Sequence, residues 1–178
     1  MKELSLNILD IAENSVKAKA TLTEIFLDEE EEKITLIIKD DGCGMSEEMV
    51  KSVVDPFCTT RTTRKVGLGI PLLKMAAEQT GGEVKITSSQ GENHGTTVTA
   101  TFFKNHIDFT PLGDVISTIT TLIQGHPDTD FLFVHKKAGG EVRLDTREVR
   151  EVLEDVPLNC YEVIKWTEEY LKEQYEGL

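Results

Sequence analysis

Hydrophobic residues follow two different periods along the first hundred positions of the chain. From Leu4 onwards they recur every three to four residues, which predicts a helix over residues 4–18. Segments 21–28 and 34–39 are instead rich in apolar and β-branched residues and are joined by an acidic run, which predicts a hairpin. The chain is therefore expected to open with a helix followed by two antiparallel strands.

The rest of this first part is predicted to contain two more helices and two more strands. Ser46 is a candidate N-cap for a short helix that ends before Pro56, and residues 55–66 show no periodicity, which is typical of a loop. The later elements are a helix over about 70–80, ended by glycines, and strands over about 83–89 and 96–103.

After residue 104 a second group of elements begins. Pro111 is predicted to open an amphipathic helix, and strands are expected over 131–135 and 141–144, followed by two helices. We expect each closing helix to begin with a capping box, formed by Asp145 with Glu148 and by Asn159 with Glu162. The sequence thus predicts two units, residues 1–104 and a small α/β annex over 105–178.

The charge and cysteine content narrow the candidate partners and the cellular compartment. The 178 residues carry a formal net charge of -13, so we expect neither nucleic acid nor an anionic membrane as a partner. The three cysteines show no CxxC or zinc-like spacing, and no signal peptide is visible. No apolar run approaches the roughly 20 residues of a membrane helix. These features are typical of a reduced, cytoplasmic protein.

Two polar residues interrupt the apolar pattern of the first predicted helix. Asp10 and Asn14 are four positions apart and therefore lie on one side of that helix. An asparagine oxygen suits Mg²⁺, which keeps waters and nucleotide phosphates as its other ligands. A carboxylate one turn away is placed to orient or deprotonate a water. A solvated polar stripe is the alternative interpretation.

Two further segments carry candidate chemistry for a nucleotide. Asp40 ends a predicted strand, where a carboxylate can accept from the adenine amine, and the glycine-rich turn after it allows close backbone approach to a flat ring. A hydroxyl- and cation-rich segment, 55–61, precedes a glycine-rich helix start at 66–70, which predicts a phosphate cradle. Neither a Walker A loop nor the protein-kinase signature set occurs. Taken alone, the turn after Asp40 is also compatible with an ordinary turn.

The order of these motifs resembles the ATP-binding domain of the gyrase, heat-shock chaperone, histidine kinase and mismatch-repair (GHKL) superfamily. The similar segments are the N box (9–18), the D-x-G-x-G box (40–45), the F box (56–61), the second glycine box (67–70) and the threonine motif (95–96). The resemblance covers about residues 4–104. It implies the Bergerat fold, an α/β two-layer sandwich with a mixed sheet covered by helices on one face. It also implies ATP as the ligand and Mg²⁺ as its cofactor.

The resemblance implies a role for each matching residue. Asn14 would ligate Mg²⁺, Asp40 would bind the adenine amine, and Asp10 stands at the position of the catalytic base. The other candidates for ATP binding are Gly42, Gly44, Met45 and Thr96 near the base, Phe57, Thr59, Thr60, Arg61 and Lys65 in the lid, and Gly67, Leu68 and Gly69 beneath the phosphates.

Three departures from the family pattern shape the functional expectation. Hydrolysing members carry a glutamate where this chain has Asp10, and the shorter side chain sets the carboxylate about 1.5 Å back. A displacement on this scale costs on the order of 100-fold in rate, so we expect slow hydrolysis. Lys65 replaces a glycine of the second glycine box, where it either contacts a phosphate or is solvated. The phosphoacceptor hairpin of sensor kinases is not seen before the N box, which predicts that the chain is not a self-contained sensor kinase.

Three functions are compatible with these observations. The first is an ATP-driven regulatory switch or slow ATPase, and the second is a serine/threonine kinase acting in trans, as the anti-sigma-factor kinases do. The third is a non-catalytic nucleotide-sensing module. We expect a protein partner or substrate.

Cys43 and Cys58 are either redox-sensitive thiols or small apolar residues that fill space in the core. The stripe Val163, Trp166 and Tyr170 either packs on its own strands or forms a docking or dimer surface.

Overall fold

The computed structural model describes residues 3–55 and 68–178, which form six helices and six strands. In chain order these elements are α1 (Leu4–Lys17), β1 (Leu22–Glu29), β2 (Lys33–Asp40), α2 (Glu47–Val53), α3 (Gly69–Gln79), β3 (Glu83–Ser89), β4 (Gly95–Phe103), α4 (Val115–Gly125), β5 (Asp130–Lys137), β6 (Gly140–Asp145), α5 (Thr146–Leu153) and α6 (Tyr161–Glu176). No helix within these ranges has the length and apolar character needed to cross a membrane.

The six strands form one mixed sheet in the order β3-β4-β2-β1-β5-β6. Four of the neighbouring pairs are antiparallel, whereas β5 runs parallel to β1. This parallel pair, with Thr23 opposite Phe131, joins the strands of residues 105–178 to those of the first part. The predicted mixed sheet is confirmed, and the boundary near residue 104 stays a prediction.

Helices cover one face of this sheet and complete the core. Buried and partly buried residues alternate along β1 and β2, so that Ile25 and Leu36 point toward the helices. Helix α1 packs against both α3 and α4. A single hydrophobic cluster includes Leu4 of α1, Phe133 of β5 and Leu171 of α6. Residues 105–178 therefore share both the sheet and the core with the nucleotide motifs.

The predicted start of α4 at Pro111 is wrong. The carbonyl of Pro111 instead accepts the backbone N–H of Leu4 at 2.9 Å, which ties this segment to the start of α1. The helix begins at Val115, and Asp114 is its N-cap, since the Asp114 carboxylate accepts the Ser117 N–H at 3.0 Å. The hydrogen bond from Leu4 therefore holds the segment before Val115 outside the helix. The local sequence could not indicate this long-range contact.

Neither predicted capping box forms at the closing helices. Asp145 does cap α5, but it accepts the N–H of Arg147 at 3.0 Å, and Glu148 pairs with Arg143 instead of closing the box. Helix α6 starts after Cys160 without a side-chain cap. In α5, an ion pair across to β6 has replaced the local bond that the sequence favoured.

Candidate functional site

Two adjoining cavities lie beside α1, and Asn14 lines both of them. The inner cavity, of about 200 Å³, lies between α1, α2, α3 and the sheet. The outer cavity, of about 340 Å³, lies between α1 and the start of α3. The outer cavity is lined by Asp10, Glu13, Asn14, Lys17, Leu68 and Gly69.

The Asp40 carboxylate is held in a defined orientation at the inner cavity. Its Oδ2 accepts the Ser15 hydroxyl of α1 at 2.7 Å, and its Oδ1 accepts the backbone N–H of Gly42 at 2.9 Å. Each carboxylate oxygen has capacity for a further hydrogen bond. The register of the sheet places Asp40 directly opposite Thr96 of β4, so both side chains line the same cavity.

A network of hydrogen bonds centred on Ser88 connects Thr96 to the turn after Asp40. The Ser88 hydroxyl lies 2.8 Å from the Thr96 hydroxyl and accepts the N–H of Met45 at 2.7 Å. On the other side of the turn, His94 Nδ1 lies 2.6 Å from the carbonyl oxygen of Gly42. Strand β3 and the segment that joins it to β4 therefore hold the turn against the inner cavity.

The two glycines of this turn are required by packing of the protein against itself. Gly44 has a φ of +75°, and a Cβ there would lie 1.9 Å from the carbonyl oxygen of Ser89. Gly44 also lines the inner cavity, whereas Gly42 lies outside both cavities. A Cβ on Gly42 would lie 2.8 Å from the Cβ of Ala18 at the end of α1. The turn thus fits between α1 and β3 only without these two side chains.

The outer cavity has the features of an anion site. Leu68 precedes α3 without a side-chain cap, and Pro71 has no N–H, so the N–H groups of Gly69 and Ile70 lie at an uncapped helix start. The positive end of the helix dipole favours negative charge at this position. Gly69 packs closely on α1, since a Cβ there would lie 3.2 Å from the Asp10 Cβ. The free N–H groups and the positive end of the helix dipole together suit a phosphate group.

The electrostatic setting of Asp10 suits a proton acceptor. Burial raises the pKa of the Asp10 carboxyl, the Lys17 charge opposes this change, and the Glu13 charge adds to it. The net direction is upward, toward the pH at which a general base works best. Glu13 is itself held from the C-terminal part of the chain, because His126 Nε2 lies 2.9 Å from its carboxylate.

The oxygen donors of the outer cavity fit Mg²⁺. Asp10, Glu13 and Asn14 all supply oxygen atoms there. Among the residues that the structure describes, no three His, Cys, Asp or Glu side chains form a cluster that would hold a metal without other ligands. A cation with few protein ligands, whose other positions go to phosphate oxygens and waters, is characteristic of Mg²⁺ bound with a nucleotide.

The structure brings most of the predicted site residues together. The inner cavity contains Asn14, Asp40, Gly44, Met45 and Thr96, and the outer cavity contains Asp10, Asn14, Leu68 and Gly69. Six other predicted residues lie outside the described ranges: Phe57, Thr59, Thr60, Arg61, Lys65 and Gly67.

Sequence reasoning missed Ser15 and the apolar wall of the inner cavity. Ile38 and Val98 line this wall, two positions before Asp40 and two positions after Thr96. Because strand side chains alternate between faces, each points to the same side as the polar residue near it. The two-residue spacing could have identified Ile38 and Val98 as part of the site. The position of Ser15 directly after Asn14 could have identified Ser15 in the same way.

Comparison with known proteins agrees with this geometry. The sequence profile described as histidine kinase-, DNA gyrase B- and HSP90-like ATPase matches residues 2–106. The chain therefore belongs to this ATPase family, and it carries an ATP-binding domain of the GHKL type.

Among curated relatives, the sensor protein SrrB of Staphylococcus aureus is 33% identical over 102 residues, which cover 54% of this chain and 17% of SrrB. The chain thus matches about a sixth of the length of that relative. Among solved structures, the Aquifex aeolicus MutL ATPase domain complexed with ADP has a TM-score of 0.56 at 18% identity, covering 86% of this chain and 70% of that one. The N-terminal domain of a DNA repair protein has a TM-score of 0.59 at 14% identity, covering 82% and 53%. Both structures share the fold.

Proposed function

We propose that this chain binds Mg–ATP across the two cavities and works as a regulatory switch that hydrolyses ATP slowly. The observation that carries the proposal is the Asp40 carboxylate, oriented by Ser15 and Gly42, in an apolar-walled cavity that adjoins an anion site. Asn14 lies between the two cavities, where the base and the phosphates of one nucleotide would meet.

The inner cavity suits adenine better than guanine. Apolar side chains such as Ile38 and Val98 offer contact for a flat ring, and the Asp40 carboxylate can only accept hydrogen bonds when it is ionised. The adenine amine donates to it, whereas guanine presents an acceptor oxygen at the corresponding position. Opposing two acceptors without a donor costs free energy, which selects for adenine.

The outer cavity would hold the phosphates and the cation. Asn14 supplies an oxygen ligand, the N–H groups at the start of α3 face phosphate oxygens, and Mg²⁺ offsets the phosphate charge when bound. Asp10 is placed to accept a proton from the attacking water. Its short side chain holds the carboxylate further from the phosphates than a glutamate would, so hydrolysis is slow.

A second candidate function is phosphoryl transfer to another protein, which the match to a family that includes histidine kinase-like proteins favours. Three of the four histidines have partners elsewhere in the fold: His94 contacts the turn after Asp40, His126 contacts Glu13, and the buried His135 contacts Glu29 and Tyr175. His106 is exposed in the segment after β4 and contacts Asp108. We propose that the phosphoacceptor in this case is a residue of the partner protein.

The test is calorimetric titration of ATP with and without Mg²⁺, followed by a phosphate-release assay. Asp40→Asn is expected to weaken ATP binding about 100-fold, because it removes a charged acceptor. Asp41→Asn is the matched control, since the Asp41 carboxylate instead accepts the N–H groups of Thr21 and Leu22 and the Thr21 hydroxyl. Asn14→Ala should remove most of the Mg²⁺ dependence.

Hydrolysis is tested on the same samples. Asp10→Asn should abolish phosphate release while ATP still binds, and Asp10→Glu should increase it. Equal losses of ATP affinity for Asp40→Asn and Asp41→Asn would reject the adenine assignment. Transfer of labelled γ-phosphate to a protein, in place of release, would favour the second candidate.

A further inference from the structure

A further cavity lies outside both nucleotide cavities, between α5 and α6. Its volume is about 600 Å³, and we name it the α5–α6 groove. Its apolar walls come from both helices and the turn between them: Val149, Val152, Val156, Val163, Trp166 and Tyr170. Leu144 of β6 also lines it.

Several apolar side chains of this groove are open to solvent. Val152 is 83% exposed, Val156 46% and Trp166 48%, whereas Val163 is buried. Trp166 stacks on Tyr170 with ring centroids 4.9 Å apart. Only the Val163 side of the stripe therefore packs into the core. A contiguous, exposed aromatic and aliphatic surface of this kind marks an interaction site.

The C-terminal segment that supplies both helices of the groove is acidic. Residues 146–178 contain nine acidic and four basic residues. Three of the basic residues are engaged in ion pairs, Arg147 with Asp145, Arg150 with Asp130 and Lys172 with Glu168. The groove itself is lined by three acidic residues and by Arg143, and Arg143 pairs with two of them, Asp145 and Glu148. Glu162 also lines the groove and has no ion pair to any described residue, and Glu151, Glu154 and Asp155 follow on α5 and the turn after it.

We propose that the α5–α6 groove docks a basic amphipathic helix of a partner protein. The apolar face of that helix would contact Val152, Val156 and Trp166, and its flanking Lys and Arg side chains would reach the acidic rim. The lining residues of α5 and the following turn extend from 148 to 156. The helical part of this wall, 148–153, spans about 8 Å at 1.5 Å per residue, or roughly one and a half turns of a docked helix, and the turn to Val156 extends it.

The charge of the groove argues against a second copy of this chain as the occupant. A twofold interface would place the same acidic residues of both copies against each other. Opposed like charges cost free energy, whereas a cationic helix gains electrostatic complementarity. This inference goes beyond the proposed function, and its test does not depend on ATP.

The test uses synthetic peptides of about 18 residues, or five helical turns. One is an amphipathic helix of Leu and Lys, one is a scrambled peptide of identical composition, and one is amphipathic with Glu in place of Lys. Trp166 is the one tryptophan of the chain, so its fluorescence reports occupation of the groove directly. Val152→Asp disrupts the groove, and Ile107→Asp is the control at a residue that is 95% exposed elsewhere.

We expect the amphipathic Lys peptide to bind at least ten-fold more tightly than the other two and to shift Trp166 emission to the blue. Val152→Asp should weaken this binding at least ten-fold, Ile107→Asp should not, and added salt should weaken it further. Equal binding of the scrambled or the Glu peptide would overturn the proposal. So would light scattering that shows a wild-type dimer which Val152→Asp dissociates.

Discussion

The nucleotide-motif half of this chain and its C-terminal half use their polar side chains in opposite ways. Asp10, Asn14 and Asp40 lie at cavities where they can meet a ligand. Asp145 and Asp130 instead bind arginines of their own half. There the exposed surface suited to contact is apolar, in the α5–α6 groove. One half thus presents polar side chains at its cavities, and the other presents an exposed apolar surface.

This contrast in chemistry coexists with a shared core. If the two halves unfold as one cooperative unit, a destabilising substitution in the core beside β5 will also abolish nucleotide binding. If they are independent, the same damage will leave it intact.

The largest effect is expected for Phe133→Ala. Phe133 is fully buried in β5, which pairs with β1, so its truncation should lower the free energy of unfolding by about 3–5 kcal/mol. Urea unfolding followed by circular dichroism and by Trp166 fluorescence should give coincident transitions. Two separate transitions would show that the halves fold independently.

A glycine pair then separates conformational strain from steric overlap. Gly91→Ala, at a φ of +95° with nothing within 4 Å of the new Cβ, should cost about 1 kcal/mol. Gly44→Ala has a similar φ but would overlap Ser89, so it should cost at least twice as much and weaken ATP binding more than ten-fold. Thermal unfolding and calorimetry of both variants measure these effects. Equal losses would mean that the turn can shift away from β3.

A matched pair of serine–aspartate bonds compares the two halves directly. Ser15 donates to Asp40 at 2.7 Å, and Ser117 donates to Asp114 at 2.8 Å. Ser15→Ala should weaken ATP binding about ten-fold, since a hydrogen bond to a charged group contributes about 1.5 kcal/mol. Ser117→Ala should leave ATP binding unchanged. Calorimetric titration of both variants decides the point.

The two halves also meet at a buried histidine, which makes stability depend on pH. His135 of β5 donates from Nε2 to Glu29 of β1 at 2.8 Å, and its Nδ1 accepts the Tyr175 hydroxyl at 2.7 Å. Burial lowers the pKa of His135 below the usual 6.5, although the bond to Glu29 opposes this. The unfolded chain therefore takes up a proton first, and stability falls as pH drops below about 6.5.

The expected slope from this one proton is at most about 1.4 kcal/mol per pH unit. Unfolding measured between pH 8 and pH 5 should show a smaller slope in His135→Gln, whereas the exposed His106→Gln should match wild type.

Glu29 affects stability in a separate, lower pH range. Burial raises the pKa of its carboxyl, but Lys104 and His135 outweigh that effect, so the pKa is lowered. The stabilisation of the folded state by the ionised Glu29 is lost only as pH falls below about 4.5.

The smallest effect is expected for Val152→Ser. Because this side chain is 83% exposed, the free energy of unfolding should change by less than about 0.5 kcal/mol. A loss above 1 kcal/mol in thermal unfolding would show that the groove stabilises the fold, which would weaken the contrast between the halves.

Much of the fold was predictable because most elements depend on local pattern. The predicted α1, β1, β2, α2 and α3 agree with the structure within a residue or two, as do the glycine turns. The start of α4 was not predictable, because a backbone bond from Leu4 to Pro111 decides it. The ion pair of Arg143 with Glu148 likewise outcompeted a local cap that the sequence favoured.

The sequence by itself determined the nucleotide motifs, because each motif is a short run whose residue types and spacing are set by the chemistry of one ligand group. It could not determine that β5 pairs with β1, that Ser15 orients Asp40, or that Trp166 is exposed. Those facts depend on which distant segments meet. Pairing and burial are properties of the packed chain, and the same apolar stripe can be buried or exposed depending on what the rest of the fold places over it.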